Sequence, residues 1–253
     1  MLGCQCRQLL MPVLAVVTIL HLVNRGDAMT LVSPLPEPPR LLILAQTPPS
    51  AEEIRTYKGF HAAVAAGDYE GVRRLMAAGN NVNATDAHGR TPLMIAAYQR
   101  DRKALRALVR GGGNLNALDR QHYDVLTIAA VLDDSAMVTL AISLGADAGL
   151  VTSPYKGTAL IAAAHLGHVE VVQALIDGKA PLDHVNNLDW TALIEAIVLG
   201  DSGPRHVATL GALVKAGADV NLADGQGVSP LSLARRNGYF EMMEILQRAG
   251  AKP

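Results

Sequence analysis

Histidines are the side chains here most open to chemistry, and His165 and His168 stand three residues apart in "HLGHVE". Two imidazoles at that spacing on one helix face could hold a metal ion. Gly167-His168 reads as a helix break, however, so the two rings are not expected to share a face. His88, His122 and His184 fall in turn-rich segments and read as solvated turn residues or contact residues. The sequence has no G-x-S-x-G, no G-x-x-x-x-G-K-[ST] and no H-E-x-x-H. "GQGVSP", Gly225 to Pro230, begins like a dinucleotide fingerprint but ends in proline, and reads as a turn. Cys4 and Cys6 lie too close together and too near the terminus to staple a fold. The expectation is therefore no enzyme, no catalytic residue, no metal and no cofactor.

What remains is recognition. Only 4% of the chain is aromatic, yet Tyr123, Tyr155 and Trp190 fall in corresponding turns of successive segments. Tyrosine, tryptophan and arginine are the side chains that most often anchor interfaces. Their use depends on the elements that hold them.

Those elements repeat. A Thr-x-Leu marker stands at Thr91, Thr158 and Thr191, with Ser229 as a variant and "DVL" at Asp124 as a degenerate copy. Stepping back one period from Leu93 reaches Phe60, which gives six units. Glycine recurs in phase at 79, 112, 145, 217 and 250, with Gly178-Lys179 in the fourth unit. Each unit can be derived locally. Thr or Ser before Pro opens a helix, because the hydroxyl accepts from unpaired backbone N–H groups and Pro costs nothing in the first turn. An Ala-rich helix follows, then a break, then a second helix with apolar residues at helical spacing, as at Val169, Val172, Leu175 and Ile176. The late glycine suits a left-handed cap. One unit cannot bury its own apolar face, but a stack of them can.

"DAHGRTPLMIAA", "GTALIAAAHLGHVEVVQALI" and "DGQGVSPLSLARRNGYFEMMEIL" resemble the ankyrin repeat family. The resemblance covers about residues 60–251. It implies an all-α solenoid of six helix-turn-helix repeats with β-hairpin-like finger loops, and it implies protein binding by the fingers and by the concave face of the first helices. The repeats are expected at 60–84, 85–117, 118–148, 149–184, 185–222 and 223–253, within a domain spanning 53–253. The family's T-P-L-H histidine survives only at His61; Met94, Thr127, Ile161, Ile194 and Ser232 replace it elsewhere. Apolar contact is expected to take over its hydrogen bonding. The third repeat, with Asp124 for threonine, is expected to be the loosest.

Aligned on the helix openings, the finger positions are Arg90, Tyr123, Gly157, Trp190 and Val228, preceded by Gly89, His122, Lys156, Asp189 and Gly227. The first helices should expose Ile95 and Tyr98, Ile128 and Val131, Ala162 and His165, Glu195 and Val198, and Leu233 and Arg236. Expected contact residues are Arg90, Tyr98, His122, Tyr123, Tyr155, Lys156, Trp190 and Glu195. The reading is a non-catalytic interaction scaffold for a protein partner. The alternative is an accessory or inhibitor subunit that protects or regulates an exported enzyme.

A net charge of -1 offers no general pull toward nucleic acid. Arg7 precedes the apolar run Leu9–Val23, and "GDA" follows it, which reads as a signal peptide, 1–28, cut after Ala28. An uncleaved anchor or a mis-assigned start are the alternatives. A Pro-rich linker, 29–52, comes next. The resemblance combined with this segment points to the exported ankyrin proteins of Gram-negative bacteria. The protein is expected to be periplasmic or secreted, with no membrane insertion of the mature chain, and monomeric. "LGDSGPRH", Leu199 to His206, holds extra residues between the two helices of repeat five. The second helix there is expected to begin near Pro204 and end near Lys215, as either a tolerated edge insertion or a second contact site carrying Arg205.

Overall fold

The structure is a computed structural model that describes residues 47–252. The expected signal peptide and residues 29–46 of the expected linker lie outside the described residues. A short helix α1 (Ala51–Thr56) precedes six helix pairs. These are α2 (Gly59–Ala65) with α3 (Tyr69–Ala77), α4 (Pro92–Tyr98) with α5 (Arg102–Arg110), and α6 (Val125–Val131) with α7 (Ser135–Ser143). Then come α8 (Ala159–His165) with α9 (Val169–Asp177), α10 (Ala192–Val198) with α11 (Pro204–Ala216), and α12 (Pro230–Arg236) with α13 (Phe240–Arg248). Among the described residues no strand forms; one antiparallel bridge joins Thr152 and Gly157. No helix among them is long and apolar enough to cross a membrane.

The helices start where the side chains allow. Thr91, Asp124, Thr158, Thr191 and Ser229 each accept from the backbone N–H three residues on. Asp68, Asp101 and Asp134 do the same for the second helices. Each such cap stabilises its helix by about 1 kcal/mol. Paired alanines, as in Ala96-Ala97, Ala129-Ala130 and Ala163-Ala164, are fully buried. Without bulk at those points, successive first helices pack closely. Leu105, Leu108, Val138, Val172, Leu175, Leu210 and Leu213 fill the layer beneath from the second helices.

The family's histidine column is filled in more than one way. Met94, Ile161 and Ile194 are buried, so apolar packing does take over there. His61 Nε2 bonds the Arg90 carbonyl at 2.8 Å, and Thr127 Oγ1 bonds Thr152 Oγ1 at 2.9 Å. The third repeat is not loose. The Asp124 carboxylate caps the Thr127 N–H at 2.8 Å, and Val125 to Ala130 are all buried. A carboxylate can cap as well as a hydroxyl, so the substitution leaves the helix intact.

Repeat five follows its expected course. Helix α11 spans thirteen residues against nine in the other second helices and starts at Pro204. Four extra residues add about 6 Å of helix. Arg205 then reaches back over two repeats: Nε donates to the Gly167 carbonyl at 3.0 Å and Nη2 to Asp133 at 2.8 Å. His206 Nε2 lies 3.0 Å from the His165 carbonyl. The same edge is laced by Gln99 to Ala65, His168 to Ala130 and Asn237 to Ile197, each onto a carbonyl at the end of a first helix, and by Tyr239 to Gly200 just past α10. Those carbonyls have no partner inside their own helix. The insert is thus bound into the scaffold at this edge.

Helix α1 begins inside the stretch read as linker. Its Glu53 joins a buried cluster: Arg90 donates to Asp86 at 2.7 Å, to Glu53, and to the Thr47 carbonyl at 3.2 Å. Tyr57 adds a bond to Asp86 at 2.8 Å.

Candidate protein-binding face

The fingers are built on side-chain turns. The Oδ1 atoms of Asp86, Asp119, Asn186 and Asp224 each accept from the backbone N–H groups two and four residues on. The N–H of each of these residues returns to the carbonyl four on, closing a short hairpin. The finger of repeat four has Thr152 and one residue more, and closes from Thr152 N–H to the Gly157 carbonyl at 2.7 Å. Fingers are also strung together. Arg120 donates to the His88 carbonyl, Ser153 to His122 and Asn187 to Tyr155, at 2.9, 2.7 and 2.9 Å.

At the tip, one residue of each finger takes positive φ, and the finger of repeat four has a second at Ser153. The first and last of these five fingers use Gly89 and Gly227. The three between use His122, Lys156 and Asp189, with φ of 63°, 54° and 60°. A side chain there costs roughly 1 kcal/mol or more that glycine would not. All three are exposed. Positive φ also recurs outside the fingers: at Arg100 and Asp133, which serve bonds inside the scaffold, and at Lys179 and Ser202 beside helix ends.

Not every expected contact residue reaches the surface. Arg90 is 2% exposed, because Asp86 and Glu53 claim its guanidinium. Tyr123 is buried, and burial raises its phenol above the ordinary value. Glu195 is 4% exposed: Asn186 Nδ2 donates to its Oε1 at 2.9 Å, and His165 Nδ1 lies 3.3 Å from its Oε2. Ile95 and Ile128, expected on the open face, are fully buried, since their helix faces pack against neighbouring repeats. Tyr98 is half-buried with its hydroxyl turned inward; burial raises it as well. Tyr155 and Trp190 are half-buried, and the backbone N–H of Trp190 donates to Asn186 Oδ1 at 3.1 Å. His122 and Lys156 are exposed.

One set of surface residues went unread in the sequence. Leu118, Val151 and Val185 are 38, 44 and 42% exposed. Each immediately precedes the residue that founds its finger turn, in repeats three, four and five. Thr85 and Ala223 hold that place in the flanking fingers. The signal was available as an alignment column: apolar side chains beside a turn residue, only in the central units. The central fingers therefore carry three exposed aliphatic side chains, three strained polar tips, and the half-open rings of Tyr155 and Trp190. Among the described residues no group of histidine, cysteine, aspartate or glutamate is placed to hold a metal ion.

Comparison with known proteins agrees with this architecture. The ankyrin repeats profile, three copies long, matches residues 60–150 and 126–224. The chain is 30% identical over 190 residues to the ankyrin repeat protein YahD of Escherichia coli, covering 75% of this chain and 94% of that one. A crystal structure of an ankyrin repeat domain from Acinetobacter baumannii is similar at TM-score 0.72 and 38% identity, over 76% of this chain and 98% of that chain. The ankyrin repeat domain of Bcl-3 is similar at TM-score 0.71 and 26% identity, over 78% of this chain and 88% of that chain. Ankyrin repeats are generally non-catalytic modules of protein–protein interaction. In the period of its residues, in its helix pairs and in these likenesses, the chain belongs to the ankyrin repeat family.

Proposed function

We propose that the chain is an exported, non-catalytic scaffold that binds a protein partner through the fingers of repeats three, four and five and the adjoining first-helix face. One observation carries this reading: exposed aliphatic residues and non-glycine tips coincide in the same three fingers. An exposed aliphatic side chain alone needs no explanation. An aligned row of them beside tips that carry a conformational cost does, because strain of this kind gathers at functional sites. Leu118, Val151 and Val185 supply the apolar contact. Trp190 and Tyr155 supply anchors, and His122, Lys156 and Asp189 set the charge pattern along the row. The buried Glu195 holds the fifth finger from below rather than touching the partner. Export rests on the apolar run Leu9–Val23 and the small residues after it.

Photocrosslinkers placed in turn at residues 118, 151 and 185 test the surface, with Phe240 on the opposite edge as the control position. Mass spectrometry then identifies what each position captures. One protein shared by the finger positions and missing from the control supports the reading. Equal capture at Phe240 sinks it. If the shared protein is an enzyme whose activity changes on binding, the role narrows to an accessory or inhibitor subunit. The mature N-terminus of the exported protein checks export, with Met29 expected as its first residue.

A further inference from the structure

The second helices show a pattern on the side away from the finger turns. In each nine-residue second helix, the second, fifth and ninth residues share one face, since they are spaced three and four apart. In α5 these are Lys103, Arg106 and Arg110; in α7, Ala136, Thr139 and Ser143; in α9, Glu170, Gln173 and Asp177. All nine are exposed. Three neighbouring repeats thus present a basic, a neutral and an acidic row. Among the described residues no acid pairs with Arg106 or Arg110, and Lys103 Nζ instead sits 3.9 Å over the Tyr69 ring. Glu170 has no ion pair, and Asp177 accepts only from Gln173, at 2.9 Å. Like charges stacked along α5 weaken that helix. In α3 the matching acid, Glu70, is taken by Arg73 of its own helix at 3.0 Å, and α7 has no acid at these positions, so the unpaired acids of the face stand on α9.

We propose that this face pairs with the same face of a second copy of the chain, about a twofold axis running along α7. A rotation about that line keeps the direction of the helices and reverses the order of the repeats. Helix α5 of one copy then meets α9 of the other. Because the three positions are the same in each helix, Lys103 faces Glu170, Arg106 faces Gln173 and Arg110 faces Asp177. Symmetry makes every pair twice. Val109, Ile142 and Ile176, the eighth residues of the same helices, are half-buried and lend apolar surface beside the charges.

Three other registers are opposed by charge. An axis along α5 places Lys103 on Lys103. An axis that crosses the helices at right angles keeps α5 on α5 and sets Lys103 against Arg110. An axis between α5 and α7 brings Glu70 of α3 against Glu170. Of these four registers the proposed one alone opposes no like charges, and it pairs both the basic and the acidic row in full. Its outer contact sets Glu70, Arg73 and Ala77 against Ala208, Gly211 and Lys215, with no like charges opposed. Charge matching of this kind sets register and excludes wrong partners. The pairing departs from the monomer expected from the sequence. It uses none of the finger residues and does not rest on how they function.

Sedimentation of the full chain at low and high salt tests the pairing. The wild type should self-associate at low salt and separate as salt screens the pairs. Lys103→Glu and Glu170→Lys should each weaken association by about tenfold or more. The double variant Lys103→Glu/Glu170→Lys should recover it, because each pair is restored with its signs exchanged. An equimolar mixture of the two single variants should also associate, as a heterodimer, which needs no doubly substituted chain to fold. A chain that stays monomeric at low salt, or one whose association ignores the single reversals, overturns the proposal. So does a mixture that fails to recover.

Discussion

Gly149 lies against Pro181, and between the repeats they join this is the place where a hydrogen-bond rung is missing. Elsewhere along that edge an acceptor side chain meets a backbone N–H of the next repeat: Asn83 with Asn114, Asn116 with Asp147, Asp183 with Asp219, Asn221 with Lys252. Glycine has no side-chain acceptor and proline has no backbone N–H to donate. A Cβ built on Gly149 would stand 3.6 Å from the Pro181 Cδ. The two losses match, so no polar group is stranded. Restoring both partners, Gly149→Asn with Pro181→Asp, should stabilise the chain by about 1 kcal/mol, while neither change alone should help. A double-mutant cycle from denaturant unfolding measures the coupling; additive effects would refute the pairing.

Arg90 sits at the other extreme, a buried cation with two acidic partners. Removing one member of a buried pair leaves the remaining charge uncompensated. Arg90→Met should cost about 3 kcal/mol and loosen α1 from the first repeats. Burial resists ionisation of Asp86, but the bonds from Arg90 outweigh it and hold that carboxyl below its ordinary value. The stability this gives is present above the unfolded value and lost as pH falls through the folded one. The gap between wild type and variant should therefore narrow in acid. Thermal unfolding across pH 3 to 7 checks both points.

The period and the caps made the repeats, the helix pairs and the long α11 legible in the sequence, because each rests on local chemistry. Pro204 announced its helix by its own geometry. Burial was harder to read. Arg90 looked like a finger contact because the alignment gives its place in the turn, whereas its burial depends on Glu53, far back on a helix that starts in the stretch read as linker. Glu195 looked like a lone surface charge because its partner Asn186 lies nine residues away in a different element. Leu118, Val151 and Val185 needed a comparison down the repeats rather than along them.

Asp124 is a buried acid that caps a helix where three other repeats use threonine. Burial pushes its carboxyl above the ordinary 3.8. The folded state thus favours the protonated form. Stability is fully present below the unfolded value and lost as pH rises through the folded one. Asp124→Thr keeps the cap and removes the charge. It should raise stability by on the order of 1 kcal/mol at neutral pH, with the gain fading as pH approaches 4. A gain that persists unchanged in acid would rule out this cause.

Asn186 is an amide where Asp86, Asp119 and Asp224 are acids. Only an amide can accept from the turn and also donate to Glu195. Asn186→Asp should set two carboxylates together and cost about 2 kcal/mol. Glu195→Gln in that background should recover most of the loss. Trp190, the chain's one tryptophan, lies in the same finger and reports the change by its fluorescence. An unshifted spectrum with unchanged stability would show that the finger does not depend on this bond.

The central claim is that the fingers of repeats three to five form the partner-binding face. The most direct measurement is the affinity of the purified chain for the protein captured at residues 118, 151 and 185. Val151→Asp with Val185→Asp changes exposed residues only, so the fold should survive. Binding should weaken by about thirtyfold or more, the loss expected when an interface core is disrupted. Phe240→Asp should leave it unchanged. Equal affinity for wild type and the finger variant, with the fold intact, would contradict the account.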